Sequence, residues 1–123
     1  MKKLFVLSAL IMIFAVNTFG QDHKTVAAIK GTWVYNSEMA PYEYQTGKVI
    51  FFEEDGNLKA KIDIDGYIIP IETLEIEDAK IHCKATIEYE TVNIKLVLKD
   101  GKLSGDAVTY EGSIPVKLEK EKE

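Results

Sequence analysis

The fold of this chain is decided around "IKGTWVYNS", residues 29–37, which contains the only tryptophan, Trp33. Trp33 follows Gly31 by two residues, at the start of the first stretch that predicts a β-strand. A buried indole ring fills a large volume of a small core. We therefore expect Trp33 to lie at the opening of a small antiparallel β-barrel and to close one of its ends.

The sequence after Trp33 alternates between apolar and polar residues, as in Ile81, Cys83 and Ala85. This period of two predicts antiparallel strands with one buried face and one solvated face. Three Asp-Gly dipeptides, at 55–56, 65–66 and 100–101, predict tight turns between such strands. The predicted strands are 31–37, 47–54, 57–64, 67–77, 80–89, 91–98, 102–109 and 113–119, after one or two helical turns within residues 23–30.

Eight short strands joined mostly by tight turns leave two exposed sheet edges, which closure removes. The predicted fold is therefore all-β: a small antiparallel up-and-down eight-stranded β-barrel with a short N-terminal helical turn. A sandwich of two four-stranded sheets is the alternative. Pro70 and Pro115 cannot donate to a ladder, so each marks a bend, a bulge or an edge. Phe51 and Phe52 face opposite sides of their strand, and the sequence does not say which of them is exposed.

The first residues have the order of a secretory signal peptide. Lys2 and Lys3 precede an apolar run from Leu4 to Val16, and Thr18 and Gly20 are small residues before a cleavage point. We expect cleavage after Gly20 and export to the periplasm or beyond, with no transmembrane segment left in the mature chain. The predicted organisation is a signal peptide at 1–20, one barrel domain at 21–119 and a charged tail at 120–123.

Composition narrows the possible partners. Removal of Lys2 and Lys3 leaves 13 lysines against 20 acidic residues, a net charge of −7, and the chain has no arginine. Arginine provides the bidentate contact to phosphate, so nucleic acid is not an expected partner.

Cys83 is the only cysteine, which excludes an internal disulfide. Its place on an apolar strand face predicts a buried residue rather than a catalytic thiol.

"GTW" at 31–33 and the preceding helical turn resemble the opening of the lipocalin or calycin superfamily. Short secreted bacterial lipocalin-like domains are closer still, and the similar stretches here are "DGNLKAKI", "IIPIE", "DGKLSGD" and "SIPVKL". The resemblance implies a calycin-like barrel over residues 26–118, with Trp33 packed across its closed end. The chain is shorter than true lipocalins and lacks their C-terminal helix and later conserved stretches, so the resemblance implies fold more than function.

No catalytic or metal-binding constellation stands out. His23 and His82 are not linked by spacing to each other or to a cysteine, and "DIDG" at 63–66 is a hairpin turn rather than a calcium loop. The carboxylates fall mostly on solvent-facing positions. We therefore expect a protein that is not an enzyme, with no cofactor and no metal, and that is a monomer.

The longest connection, "SEMAPYEYQTG" at 37–47, carries the candidate ligand-binding residues Met39, Tyr42 and Tyr44. By resemblance this loop overhangs the barrel mouth, where tyrosines suit a ligand or a partner surface. Trp33 is a fourth candidate if it lines the site instead of closing the barrel. The expected function is a non-enzymatic binding domain holding a small apolar or amphipathic ligand at the mouth.

The alternative function is a protein-interaction or accessory module of the cell envelope with a solid core and no ligand cavity. The volume left inside the barrel by the inward-facing side chains distinguishes the two functions. Ala60, Ala85 and Gly105 leave room, whereas large branched residues such as Ile62 and Ile87 fill it. With so many branched residues on short strands, we expect a barrel that is packed solid or nearly so.

Overall fold

The computed structural model describes residues 23–121, so the predicted signal peptide lies outside the described residues. One short helix and eight strands follow in chain order, with a single 3₁₀ turn between the first two strands. Their bounds are α1 (His23–Ile29), β1 (Gly31–Asn36), the 3₁₀ turn (Tyr42–Tyr44), β2 (Thr46–Glu54), β3 (Asn57–Ile64), β4 (Tyr67–Glu77), β5 (Lys80–Ile87), β6 (Glu90–Lys99), β7 (Lys102–Thr109) and β8 (Gly112–Lys120).

The eight strands form one closed barrel in which every strand pairs with its neighbours in sequence. Closure is made by β1 against β8, antiparallel, with Trp33 opposite Lys120 and Asn36 opposite Lys117. The predicted up-and-down barrel is confirmed, and the sandwich of two sheets is wrong because no pair of edges stays open. Within residues 23–121, no helix is long and apolar enough to cross a membrane.

Trp33 closes the end of the barrel on which α1 packs. Its ring is 1% exposed, and its Nε1 donates a hydrogen bond of 2.8 Å to the carbonyl of Ile29, the last residue of α1. Lys120 covers the indole from outside, with its ammonium 5.6 Å from the ring and 3.0 Å from the carbonyl oxygen of Ala28. Thr25 Oγ1 also donates to the carbonyl of Asp78, at 2.7 Å. The expectation that Trp33 fills a barrel end is confirmed.

The last strand runs into the segment predicted as a charged tail. β8 continues through Lys120, and the backbone N–H of Glu121 donates to the carbonyl of Thr32 at 2.8 Å. Residues 120 and 121 are thus attached to β1, while 122 and 123 lie outside the described residues.

Both prolines lie where a ladder is interrupted. In β4 the pairing with β5 begins after Pro70 and shifts register between Ile71 and Thr73, which is a β-bulge. The bulge changes which residues face inward, so Ile69 and Ile76 are both buried although seven residues apart. Pro115 lies on β8 beyond the last β1–β8 pair, at a local edge. The predicted bulge and edge positions are confirmed.

The two consecutive phenylalanines lie on opposite faces, as their spacing requires. Phe51 is buried in the core at 1% exposure. Phe52 is half-buried on the outer face, where the ammonium of Lys61 lies 5.5 Å from its ring centroid. The outer phenylalanine is therefore partly covered by a cation–π contact.

Replacement of Trp33 by phenylalanine should lower the free energy of unfolding by about 2–3 kcal/mol, through lost volume and the lost Nε1 hydrogen bond. Urea unfolding followed by far-UV circular dichroism measures the change. Tyr42→Phe, at an exposed ring, is the control and should change stability by less than about 0.5 kcal/mol. Equal stabilities for Trp33→Phe and the control would contradict the closing role of the indole.

Gly105 is required by a close approach of two backbones. A methyl group at this position would lie 1.8 Å from the carbonyl oxygen of Lys95 on β6. Gly105→Ala should therefore destabilise the barrel by about 3 kcal/mol, since a strand would have to move. Ser104→Ala, one residue away on the exposed face, is the matched control in the same unfolding measurement. A Gly105→Ala variant as stable as Ser104→Ala would show that the strands separate without cost.

Candidate ligand-binding site

The barrel contains a cavity of about 840 Å³. The up-and-down order places the connections β1–β2, β3–β4, β5–β6 and β7–β8 at one end, and α1 with the other three turns at the opposite end. Loop residues Met39, Glu88 and Glu111 line the cavity, so it lies toward the end away from α1. We call this end the mouth.

Apolar side chains form the walls and floor of the cavity. Phe51, Leu96 and Leu118 are buried lining residues and separate the cavity from the closed end around Trp33. Aliphatic residues and Cys83 form the walls toward the mouth: Val49, Ile62, Ile64, Ile71, Cys83, Ile87, Val92, Ile94, Ala107, Ile114 and Val116.

The expectation of a barrel packed solid is wrong. The branched residues Ile62 and Ile87, which were expected to fill the interior, line the cavity instead. The bulkiest ring, Trp33, lies outside the lining, at the closed end. Ala60 and Ala85 are buried without lining the cavity, and Gly105 is required by the backbone of Lys95. The position of large and small residues along the barrel axis, rather than their number, therefore leaves the space.

The β1–β2 connection is folded back over the mouth by its own hydrogen bonds. The backbone N–H of Ser37 donates to the carbonyl of Gln45 at 2.8 Å, and Ser37 Oγ donates to the carbonyl of Pro115 at 2.8 Å. The hydroxyl of Tyr35, inside the barrel, donates to the carbonyl of Tyr44 at 3.0 Å. Residues 37–45 thus form a structured flap, which brings Met39 and Tyr44 to the cavity.

Tyr44 ties this flap to the far side of the mouth. Its hydroxyl donates a short hydrogen bond to Glu88, in the β5–β6 turn. That hydrogen bond and the nearby negative charge raise the pKa of Tyr44 to about 12. Because β1–β2 and β5–β6 are half a barrel apart, this one contact spans the opening.

Four glutamates, Glu43, Glu88, Glu90 and Glu111, are the only charged side chains among the described residues that line the cavity. Glu90 begins β6, and its Oε2 is buried with no hydrogen-bond partner in the part of the chain that the structure describes. The charge of Glu111, followed by that of Glu90, raises the pKa of the Tyr110 phenol. The mouth is therefore negatively charged, and one carboxylate oxygen lies buried inside it.

An exposed tyrosine lies on or beside each of the four connections at the mouth. These are Tyr42, Tyr67, Tyr89 and Tyr110, with exposed fractions from 63% to 103%. The turns at the opposite end, 55–56, 78–79 and 100–101, contain only Asp, Gly and Ala. We call the four residues the tyrosine rim; its aromatic area is confined to one end of the barrel.

The β5–β6 turn has an unusual backbone for its residues. Glu88 and Tyr89 have φ angles of 54° and 68°, in the left-handed region where glycine is favoured. Three other tight turns place an Asp-Gly dipeptide in this conformation, as at Asp55 and Gly56. A glutamate and a tyrosine therefore occupy this turn at a backbone cost that an Asp-Gly dipeptide in the same conformation avoids.

The four predicted ligand residues do not come together. Met39 and Tyr44 line the cavity, whereas Trp33 and Tyr42 do not. Sequence reasoning missed Glu90, because the alternation predicts solvent-facing positions for most of the carboxylates. The inward series Val92, Ile94 and Leu96, extended back by one step of two, reaches Glu90 and would have found it.

Cys83 and His82 lie on opposite faces of β5, as the alternation requires. Cys83 is 2% exposed in the cavity wall, and burial raises the pKa of its thiol to about 12. His82 is on the outer face, where its Nε2 lies 3.2 Å from Oδ1 of Asn93. Between residues 23 and 121, no three His, Cys, Asp or Glu side chains are grouped so that they could hold a metal ion.

Comparison with known proteins finds a likeness in fold. No family of known proteins and no curated protein matches the sequence. Among solved structures, a redesigned β-barrel is similar, with a TM-score of 0.54 and 20% sequence identity. The match covers 80% of this chain and 96% of that one. At this identity the likeness supports the barrel fold alone.

The buried thiol predicts a pH dependence of stability. Cys83 has a pKa raised from 9.0 to about 12 in the folded chain, so the folded state holds the proton more tightly. Its contribution is complete below pH 9 and is lost as the pH rises toward 12. The urea midpoint of the protein should therefore fall over this range. Cys83→Ala should show a shallower fall, and the fall that remains comes from Tyr35 and Tyr44, whose pKa values are also raised to about 12. Identical slopes for the two proteins would contradict this reading.

Proposed function

We propose that this protein is an exported, non-enzymatic, lipocalin-like binding domain that holds a small apolar or amphipathic ligand in the cavity at the barrel mouth. The cavity of about 840 Å³ is the observation that carries the proposal. Pockets for small molecules commonly enclose roughly 300–1,000 Å³, with mostly apolar walls and a few polar groups at one side. The aliphatic wall and the glutamates at the mouth match this arrangement.

The flap over the mouth supports the same function. Within residues 23–121, one side-chain hydrogen bond, between Tyr44 and Glu88, joins the flap to the far side of the mouth. An exposed hydrogen bond of this kind stabilises by only about 1 kcal/mol. A ligand could therefore enter when the flap releases Glu88, without any strand of the closed barrel having to move.

Export and the absence of catalysis are part of the proposal. The order of charged, apolar and small residues in 1–20 supports a cleavable signal peptide and a periplasmic or secreted location. The thiol of Cys83 is buried with a raised pKa, and His82 faces outward. The Cys83 thiol lines the cavity but stays protonated near neutral pH, and His82 lies on the other face of the strand, so neither group supplies a reactive base or nucleophile to a ligand there.

A second candidate function is a protein-interaction module, and the tyrosine rim favours it. Exposed tyrosines are typical of protein-binding surfaces because they offer broad apolar area with little side-chain entropy. The rim surrounds the mouth, so a partner seated there would cover the cavity. The two functions differ in whether the interior or the rim is required for binding.

The test of the proposed function fills the cavity. Ala107 lines it, and Val108 is the next residue on the opposite face of β7. Ala107→Phe should weaken binding of the neutral fluorophore N-phenyl-1-naphthylamine by about tenfold or more, since the ring occupies the ligand space. Fluorescence titration of the purified protein measures the dissociation constant.

Val108→Phe is the matched control, because it adds the same ring to the outer face of the same strand. Its affinity for the fluorophore should equal that of the unmodified protein. Equal loss in the two variants, or no saturable binding by the unmodified protein, would reject the cavity as a binding site. The rim would then be tested by replacing its four tyrosines with serine.

A further inference from the structure

We propose that the ligand is an amphiphilic amine, whose apolar chain lies in the barrel and whose ammonium group is held by Glu90. The inference rests on the proposed function, because it specifies the polar end of the ligand that the cavity takes. The apolar walls recognise a chain of carbon atoms. The charges at the mouth determine which polar group the ligand carries at the end of that chain.

The side chains that line the cavity carry charge of one sign. The charged side chains that line the cavity among residues 23–121 are all carboxylates, with no lysine or histidine. A fatty acid or a phosphate ester would bring its anion against them in a partly dehydrated site, where like charges repel strongly. A ligand with a neutral polar group would leave the charge of these carboxylates uncompensated, whereas a cationic group would form ion pairs with them.

Glu90 is the carboxylate best placed for such a pair. Its Oε2 is shielded from solvent and has no hydrogen-bond donor among residues 23–121, although the residue lines the cavity. Buried carboxylate oxygens are usually paired, since leaving one unsatisfied costs free energy. Glu88, by contrast, already accepts the hydroxyl of Tyr44.

Glu111 strengthens the case for a cation. Glu111, in the β7–β8 turn, lies near Glu90, since the charges of both carboxylates act on the phenol of Tyr110 and raise its pKa. Like charges held close together repel each other. An ammonium group at this point would offset the repulsion between the two carboxylates.

The arrangement of possible ligand side chains and the size of the cavity indicate which kind of cation the site would bind. No group of three possible metal ligands converges within the described residues, which disfavours a metal ion. A primary ammonium needs fewer acceptors and offers three donors. A lysine from a partner protein could present the same group, but its short side chain would leave most of the 840 Å³ empty. A free amphiphile fills both the apolar interior and the charged mouth.

The experiment compares three probes with one chain and different heads: decylamine, decanol and decanoate. Each displaces N-phenyl-1-naphthylamine from the purified protein at pH 7, below its micelle concentration. We expect decylamine to bind about tenfold tighter than decanol, and decanoate weaker than decanol, as a charge-assisted hydrogen bond would produce. Glu90→Gln should reduce the affinity for decylamine to that for decanol.

Glu119→Gln is the matched control, because it removes the same charge from an exposed position that does not line the cavity. It should keep the preference for decylamine, which separates Glu90 from the general attraction of an acidic protein. Glu90→Gln should also melt at the same temperature as the unmodified protein or higher, since one negative charge is removed from beside the other carboxylates of the mouth. A lower melting temperature would assign Glu90 a structural role and overturn the proposal.

The outcomes separate this inference from the function on which it rests. If decanol and the fluorophore bind but decylamine binds no tighter, the cavity binds ligands and the amine proposal is overturned. If none of the probes and no fluorophore binds, the proposed function itself fails. If Nα-acetyl-lysine methylamide binds as tightly as decylamine, the cation belongs to a partner protein, and the free amphiphile is overturned.

Discussion

Closure of the sheet by β1 against β8 is the constraint on which the rest of this structure depends. It joins the two ends of the described chain, with Trp33 opposite Lys120. The pairing removes both open edges and brings α1, the indole and the last strand to one end. That end is filled, so the apolar space that remains is displaced toward the other end.

The two ends of the barrel consequently have different physical characters. At the closed end, the indole and the side chains around it are packed against α1, and the turns are small and polar. At the mouth, the flap, four glutamates and the tyrosine rim surround the cavity. Two departures from what stability alone would favour are found at the mouth: the unpaired oxygen of Glu90, and positive φ at two consecutive residues that are neither Gly nor Asp, Glu88 and Tyr89. Such departures are typical of sites kept for binding.

Much of the fold could be predicted from the sequence because its signals are local. Alternation places Ile81, Cys83 and Ala85 on one face whatever the rest of the chain does, and an Asp-Gly dipeptide specifies its turn directly. Even the bulge was indicated by Pro70. The site was predicted less well: Met39 and Tyr44 were found through the length of their loop, whereas Glu90 was not distinguished from the carboxylates expected to face solvent.

The sequence by itself determined the number of strands, their order, and the closed barrel with Trp33 inside it. Each of these follows from interactions between residues close in the chain, together with the cost of open edges. Only the tertiary structure decided that the interior is hollow, and which side chains face the hollow. Whether side chains fill the interior depends on the level along the barrel axis at which each of them lies. That level follows from the register of all eight strands and from the bulge in β4. The flap contact from Tyr44 to Glu88 likewise joins residues 44 positions apart, which no local pattern records.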